Sequence, residues 1–429
     1  MTASPDFSEV ESDPFFYQLS PYEYYLGEKR PFFQEAGQYF DYELFYTKRI
    51  TNPKFAFKLT GKEKGYTIGL LGALNKAEDR NEYLGVCNLK KNIFSLSSLN
   101  LAYSGYKTPD FTNQNVGVNL NLVFSKKAEM YLQSNFAFNS DLEKQQIGHH
   151  WLYFSYFPDE GFTLFTALRR IERNYRPRAG YHPLRDFEFW RLMPGYSKRI
   201  NKYGIKKIEF NMDYRPIYDS SGQRLGYHFA PISLWISSMK DHYFYLWYST
   251  GEKRVQISGE EGLEWTENFF KQQGIDATVG YEGSRFYSFF IYSGIWLTPV
   301  YNQEFTEAYD GRQVYLSCSF ELKPTPFFNF TLNLEYNKQN IRATDEELFE
   351  GCLTTANIRY QISRQVFLSS YIQYDNHYKR VNLDLLLGIE LGMGNLISIS
   401  YKSFNPLEGS SYENSARSFV IKASYLIRI

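Results

Sequence analysis

The segment Phe327-Phe-Asn-Phe-Thr-Leu-Asn-Leu-Glu-Tyr336 decides the fold class. One parity carries Phe328, Phe330, Leu332, Leu334 and Tyr336, and the other carries Asn329, Thr331, Asn333 and Glu335. A period of two with one oily and one wet face belongs to a strand whose faces meet different surroundings. The pattern continues outward in both directions. Val116, Val118, Leu120, Leu122 and Phe124 oppose Gly117, Asn119, Asn121 and Ser125, with Val123 out of step. Ala128, Met130, Leu132, Phe136 and Phe138 oppose Glu129, Gln133, Asn135 and Asn139. Ile208 to Tyr214, Leu383 to Ile389 and Phe419 to Ile429 repeat it.

Alternation of this kind also suits a soluble antiparallel sandwich. Composition separates the two. Aromatic residues make up 19% of the chain, yet the mean hydropathy is −0.46, so many rings need apolar surroundings in a chain that is polar on average. A barrel that turns rings toward lipid and polar side chains toward its lumen satisfies both demands. The strands also run for most of the chain without a helical interval, whereas a soluble all-β chain of this length usually splits into recognisable domains. No stretch has 18 consecutive apolar residues, so a membrane crossing would have to be made by strands.

The expected fold is therefore all-β, a transmembrane antiparallel β-barrel over residues 50–429, preceded by a non-barrel plug or cap over residues 1–49. Residue supply suggests about 16 strands, with roughly 14 to 20 admissible. Extended loops are expected at Ser140–Gly148, Arg173–Phe187, Pro299–Gly311, Gln339–Gly351 and Phe404–Asn414. The opening MTASPDFSEVESDPFF has no basic region followed by an apolar core, so it is not read as a secretory signal, and an exported chain would be a mature fragment or the membrane part of a longer precursor.

Two segments stand out for chemistry. In Glu28-Lys29-Arg30-Pro31-Phe32-Phe33-Gln34-Glu35, charges of both signs adjoin two rings and a proline that restricts the backbone. Such a segment suits docking in a polar lumen, with Arg30 held by Glu28 and Glu35. Arg169, Arg170, Arg173, Arg176 and Arg178 form a basic cluster, with Glu172 the nearest opposite charge in sequence. Arginine facing lipid near the midplane costs about 2 to 4 kcal/mol, so the cluster belongs at a rim or in a loop, where a solvated basic loop is the first expectation and recruitment of lipopolysaccharide phosphates or anionic solutes the second. The histidines, His149 and His150 among them, read as interfacial or loop residues. Cys87, Cys318 and Cys352 form no CxxC pair. The sequence contains no HExxH, GxSxG, GxGxxG or Walker loop, and no catalytic residue, cofactor site or metal site is expected. Lys plus Arg equals Asp plus Glu at 47 each, which gives no pull toward nucleic acid.

The leading residues resemble the DUF5916 family of bacterial barrel proteins. Three ordered stretches carry the resemblance: Ser4-Pro-Asp-Phe-Ser-Glu-Val-Glu-Ser-Asp13, Tyr25-Leu-Gly-Glu-Lys-Arg-Pro-Phe-Phe-Gln-Glu35 and Leu44-Phe-Tyr-Thr-Lys-Arg-Ile50. It continues through Leu353-Thr-Thr-Ala-Asn-Ile-Arg-Tyr360 and Lys422-Ala-Ser-Tyr-Leu-Ile-Arg428. Ser4, Lys48 and the final Ile429 depart from the pattern, where Asn, Arg and a terminal Phe are common. The resemblance implies a secretion signal and a carbohydrate-binding-like sandwich upstream, then this segment and an outer-membrane barrel; it supplies no catalytic residue.

The function expected is an outer-membrane transport or export component, either a channel or a gated partner-binding barrel. The alternative is a non-conducting anchor or scaffold for a periplasmic or surface domain, and an embedded lipid- or glycan-acting hydrolase stands third. Outer-membrane lipid, lipopolysaccharide and a periplasmic or surface protein are the expected partners.

Overall fold

The computed structural model describes residues 2–3, 14–34, 39–41, 43–77, 80–142, 145–182, 184–259, 262–392, 395–412 and 414–424. Glu35, the whole Ser4–Asp13 stretch and the final residues 425–429 lie outside this range. Among the described residues, 22 strands take part in antiparallel sheet, and Gln256–Gly259 pairs with Gly262–Trp265 as a separate ribbon. The longest helix among the described residues is the four-residue Pro31–Gln34, and no described helix is long and apolar enough to cross a membrane.

The strand count exceeds the expected 16, and the reason lies in the turns. Lys64-Gly65 joins Pro53–Glu63 to Tyr66–Ala77, and Tyr203-Gly204 joins Phe187–Lys202 to Ile205–Tyr218. In each pair both residues have positive φ, the mirror-image turn whose twist matches the flanking strands. Two of the expected loops are also much shorter than the sequence suggested. Tyr287–Tyr301 and Ala308–Thr325 leave only residues 302–307 between them, and Phe328–Ile341 and Glu347–Gln361 leave only 342–346.

The chain divides into two compact units. The first takes residues 1–9, 22–197 and 211–229. Its strands run from Pro53–Glu63 to Phe187–Lys202, each hydrogen-bonded to the next. Thr2–Ala3 also pairs with Phe55 and Ala56, a short contact that parity did not announce. The second unit takes residues 10–21, 198–210 and 230–429. Its meander pairs His242–Lys253 with Phe270–Tyr281 and continues strand by strand to Ala416–Ser424.

Within each unit the faces are inverted relative to a water-soluble sheet. In Thr112–Ser125, Val116 is 47% exposed and Val118 38%, while Asn113 and Asn115 are fully buried. The neighbouring Ala128–Asn139 exposes Phe136 and Phe138 and buries Gln133 and Asn135. In the second unit, Val366–Asp375 exposes Leu368 and Ile372 and buries Gln373 and Asp375, and Arg380–Gly392 exposes Leu385 and buries Asn382 and Asp384. Soluble proteins bury the first kind of residue and expose the second.

Candidate functional site

The leading segment docks on the buried polar parity. In the first unit, Pro31 starts the helix Pro31–Gln34, a position where its missing N–H costs nothing and its fixed φ suits the first turn. Phe33 donates its N–H to the Arg30 carbonyl at 2.9 Å and is fully buried. It joins Phe40, Phe45 and Ile50 in an apolar cluster with Ala56, Leu71, Leu84 and Val86 of the strands. Lys58 Nζ donates to the Phe32 carbonyl at 2.8 Å, and Ser104 Oγ donates to the Leu44 carbonyl at 2.7 Å.

Arg30 is buried, at 4% exposure, and its partners are local. Its Nη2 lies 2.7 Å from Glu28 Oε2 and its Nε 2.9 Å from Glu28 Oε1, a bidentate pair. Nη2 also donates to the Thr47 carbonyl at 2.8 Å and Nη1 to the Ile50 carbonyl, while the guanidinium lies over the Phe33 ring. Burial pushes the Glu28 carboxyl up, but the hydrogen bonds from Arg30 and Thr47 outweigh it and hold the group below its ordinary range. Arg30 therefore ties the two ends of the segment to each other. Lys29 is half-buried.

The carboxylate contacts to the sheet wall come from Asp41 and Glu43, which the sequence did not single out. Gln133 Nε2 donates to Glu43 Oε2 at 2.9 Å and to Asp41 Oδ2 at 3.2 Å, and Asn119 Nδ2 reaches Asp41 Oδ2 at 3.4 Å. Arg169 Nη2 donates to Glu43 Oε1 at 3.0 Å, and its Nε donates to His149 Nε2 at 3.1 Å. Arginine has only donors, so His149 Nε2 presents a lone pair and the ring proton sits on Nδ1. That Nδ1 is 3.4 Å from Glu43 Oε2, inside ion-pair distance but not aligned as a hydrogen bond. Burial pushes the Asp41 carboxyl up; burial, and then the Asp41 charge, push Glu43 up to about 7 against the opposing pull of Arg169. His182, whose Nδ1 donates to the Leu184 carbonyl at 2.7 Å, is pushed down to about 4 by burial.

Glu43, His149 and His182 bring ligand atoms within 4.8 Å of one another, a donor set that zinc accepts. Arg169 argues against that use, because its guanidinium already engages Glu43 and the His149 lone pair and would repel a divalent cation. The cluster is better described as a hydrogen-bonded clasp between segment and wall.

The basic cluster does not stay together. Arg169 turns to Glu43, and Arg170 reaches Glu188 at 3.4 Å, Glu172 at 3.6 Å and the Ser220 carbonyl at 3.0 Å. Arg178 lies 3.7 Å from Asp141, Arg173 is exposed, and Arg176 accepts a bond from Asn113 at its carbonyl. The loop of residues 172–186 that carries the last three closes over the segment. Tyr46 donates its N–H to the Ala179 carbonyl at 2.7 Å, and Tyr181 Oη donates to the Glu23 carbonyl at 2.7 Å. A Cβ at Gly180 would lie 1.9 Å from the Glu43 carbonyl oxygen, so only glycine fits. Gly180→Ala is expected to displace the segment at a cost of about 1 to 3 kcal/mol and to speed hydrogen exchange at the Tyr46 amide; unchanged protection there would contradict the clasp.

The second unit holds its own part of the leader. Phe15 donates its N–H to Gln373 Oε1 at 2.7 Å and accepts from Gln373 Nε2 at 3.1 Å. Tyr17 Oη donates to Asp375 Oδ1 at 2.9 Å, and Arg380 bonds Asp375 while lying over the Phe15 ring.

The profile of a domain of unknown function, DUF5916, matches residues 1–67, which cover the leader and the first long strand. Comparison with characterised protein sequences finds no match. Among solved structures, the chain is similar to the siderophore receptor PirA of Pseudomonas aeruginosa, with a TM-score of 0.53 and 10% identity over 85% of this chain and 73% of that one. Two further likenesses are weaker: the ferric enterobactin receptor PfeA of the same organism (TM-score 0.49, 8% identity, 83% and 71% covered) and the alcaligin outer membrane receptor FauA of Bordetella pertussis (0.46, 7%, 83% and 73%). The PirA likeness concerns the fold, an all-β antiparallel architecture of the kind such receptors have.

Proposed function

We propose that this chain is an outer-membrane β-barrel, closed on itself, that works as a transport or export component with residues 1–49 docked inside it as a plug. The observation that carries the reading is the inversion of faces: valines, leucines and phenylalanines lie outward while asparagines, glutamines and aspartates are buried. Leaving each such apolar side chain in water forgoes about 1.5 to 3 kcal/mol, and lipid removes that penalty. Closure follows from the same premise, since an open sheet edge in hydrocarbon would leave backbone groups unpaired. The buried polar parity is then the lumen wall, and the leader, bonded to that parity in each unit, lies inside. PirA, whose fold this chain resembles, is a siderophore receptor, and by that likeness we favour a conducting or gated barrel over a passive anchor. Arg173 and Arg178, exposed in the loop of residues 172–186, are the groups we assign to lipopolysaccharide phosphate.

The test is residence and facing. The chain should require detergent and show heat-modifiable migration; a monomer soluble in plain buffer would refute the barrel. With the native cysteines replaced by serine, cysteines at Leu332 and Leu334 should react with lipid-confined reagents and those at Asn333 and Glu335 with water-confined ones. Equal labelling at both parities would contradict the assignment.

A further inference from the structure

One rung of the outward parity in the first unit is polar. Strand register sets Ser134, His150, Arg170 and Glu188 side by side across four strands. The next rung toward the middle of the strands is wholly apolar: Leu120, Leu132, Leu152, Leu168 and Trp190 are successive cross-strand partners, and the last three are exposed. On the other side the strands soon stop, because Gly148 begins one, Ile171 ends the next and Phe187 begins the third. The polar rung therefore lies near the end of the sheet from which residues 140–147 and 172–186 leave, on the face that the proposed barrel turns to lipid.

Ser134 Oγ lies 3.0 Å from His150 Nδ1, and both residues are half-buried. The Phe136 ring meets the imidazole edge-on, with centroids 5.5 Å apart, and supports its plane. Gly148 makes room for it. A Cβ there would lie 2.5 Å from His150 Nε2 and 3.1 Å from Glu172 Oε2, so the ring and the carboxylate flank the same glycine. Glu172 is held in place by the Gly148 N–H at 2.7 Å and faces Arg170 at 3.6 Å. A carboxylate near Nε2 favours the ring proton on that nitrogen and leaves the Nδ1 lone pair for the Ser134 hydroxyl. A serine bonded to an imidazole that a third group orients is the constellation of an activated nucleophile.

We propose that Ser134 and His150 form a hydrolytic site for the acyl esters of membrane lipids. A polar rung laid against an apolar one matches a lipid at the level of its ester: the acyl chain lies along the leucines and Trp190, and the carbonyl reaches the serine. Ser134 Oγ attacks the acyl carbon while its proton passes to His150 Nδ1. The bond from the acyl carbon to the alcohol oxygen then breaks, and the leaving oxygen takes that proton. Water, deprotonated in turn by His150, cleaves the acyl-serine, frees the fatty acid and restores the hydroxyl. Glu172 is a positioning residue, whose charge steadies the imidazolium formed between the steps. The ester belongs to a glycerophospholipid or to the lipid A of lipopolysaccharide, which share this linkage. The inference rests on the outward parity being lipid-facing, and it does not require conduction.

Fatty-acid release by the full chain in detergent tests it, with micelles of phosphatidylethanolamine and phosphatidylglycerol in one arm and lipid A in the other. Heat-modifiable migration confirms that each variant is folded. Release from at least one arm is expected, and the arm that responds identifies the lipid. Ser134→Ala should reduce release to background, and His150→Asn should lower it about a hundredfold or more. Glu172→Gln should lower kcat about tenfold and leave KM unchanged, a split that loss of lipid binding would not give. A long-chain fluorophosphonate should label Ser134, located by peptide mass, and should do so about a hundredfold more slowly in His150→Asn. No release from either lipid together with no labelling of Ser134 would overturn the inference, as would undiminished release by Ser134→Ala. That failure in a heat-modifiable, detergent-requiring chain would remove the hydrolytic site alone; a chain soluble in plain buffer would remove the lipid-facing parity and the barrel with it.

Discussion

Deleting residues 1–49 is expected to turn a small or unstable single-channel conductance into a persistent large one, and Arg30→Ala to produce flickering openings between these extremes. The deletion removes the contacts by which the leader holds the buried polar parity, among them the Phe33, Phe40 and Phe45 cluster, the Asp41 and Glu43 bonds in the first unit, and the Phe15 and Tyr17 bonds in the second. Arg30→Ala works more locally. It leaves the Glu28 carboxylate buried without its bidentate partner and removes the Arg30 donors from the carbonyls of Thr47 and Ile50. Breaking a buried pair by removing one partner costs about 3 to 5 kcal/mol, enough to loosen the segment without ejecting it. An exposed pair would cost less than about 1 kcal/mol and leave the conductance unchanged. The three forms are to be compared in planar bilayers after heat-modifiable migration has shown each to be folded. Equal conductance in all three would reject the plug and leave the barrel standing; no conductance in any would favour the anchor.

The strand class was legible because its signal is local: parity in Thr112–Ser125 or Val366–Asp375 needs only neighbouring residues to be read. The number of strands was not. Gln339, Asn340 and Glu347 look like loop residues, yet they lie within paired strands. Where strands run past an apolar surround, the oily parity ends while the hydrogen bonding continues, and hydropathy no longer marks the strand. The same division holds in the site. Glu28 and Arg30 are two residues apart and their pairing was foreseen; the further bonds from Arg30 to the carbonyls of Thr47 and Ile50, which fasten the segment to itself, were not. The described structure does not include Glu35, the other partner expected for it. Glu43 and Arg169 are 126 residues apart, and no motif joins them. The sole hint was that the run from Arg169 to Arg178 had too few acids nearby, which calls for acids brought from elsewhere in the chain.

The second large effect expected is that the clasp weakens as pH rises from about 4.5 to 7, so that open probability increases with pH and Glu43→Gln flattens the dependence. Burial, and then the Asp41 charge, raise Glu43 from the ordinary carboxylate value to about 7 in the docked state. A carboxyl whose docked value exceeds its free value favours docking fully below the free value and loses that contribution as pH climbs through the docked one. The window therefore lies between about 4.5 and 7, and the displacement corresponds to an upper bound of about 3 kcal/mol. Among the groups facing Glu43, Asp41 is raised by burial as well and acts in the same direction. His182, pushed down to about 4, stays neutral across this window and would oppose docking only below it. Arg169 moderates the loss, because it pairs with Glu43 once the carboxyl ionises. Arg169→Met should accordingly move the opening midpoint to higher pH, since Glu43 then holds its proton longer, and should increase the total loss of docking above pH 7. Open probability in planar bilayers and hydrogen exchange at the Tyr46 amide should change together across the titration. A wild-type response that is flat, or that runs the other way, would remove Glu43 as the titrating group, and a Glu43→Gln chain with an undiminished pH response would do the same.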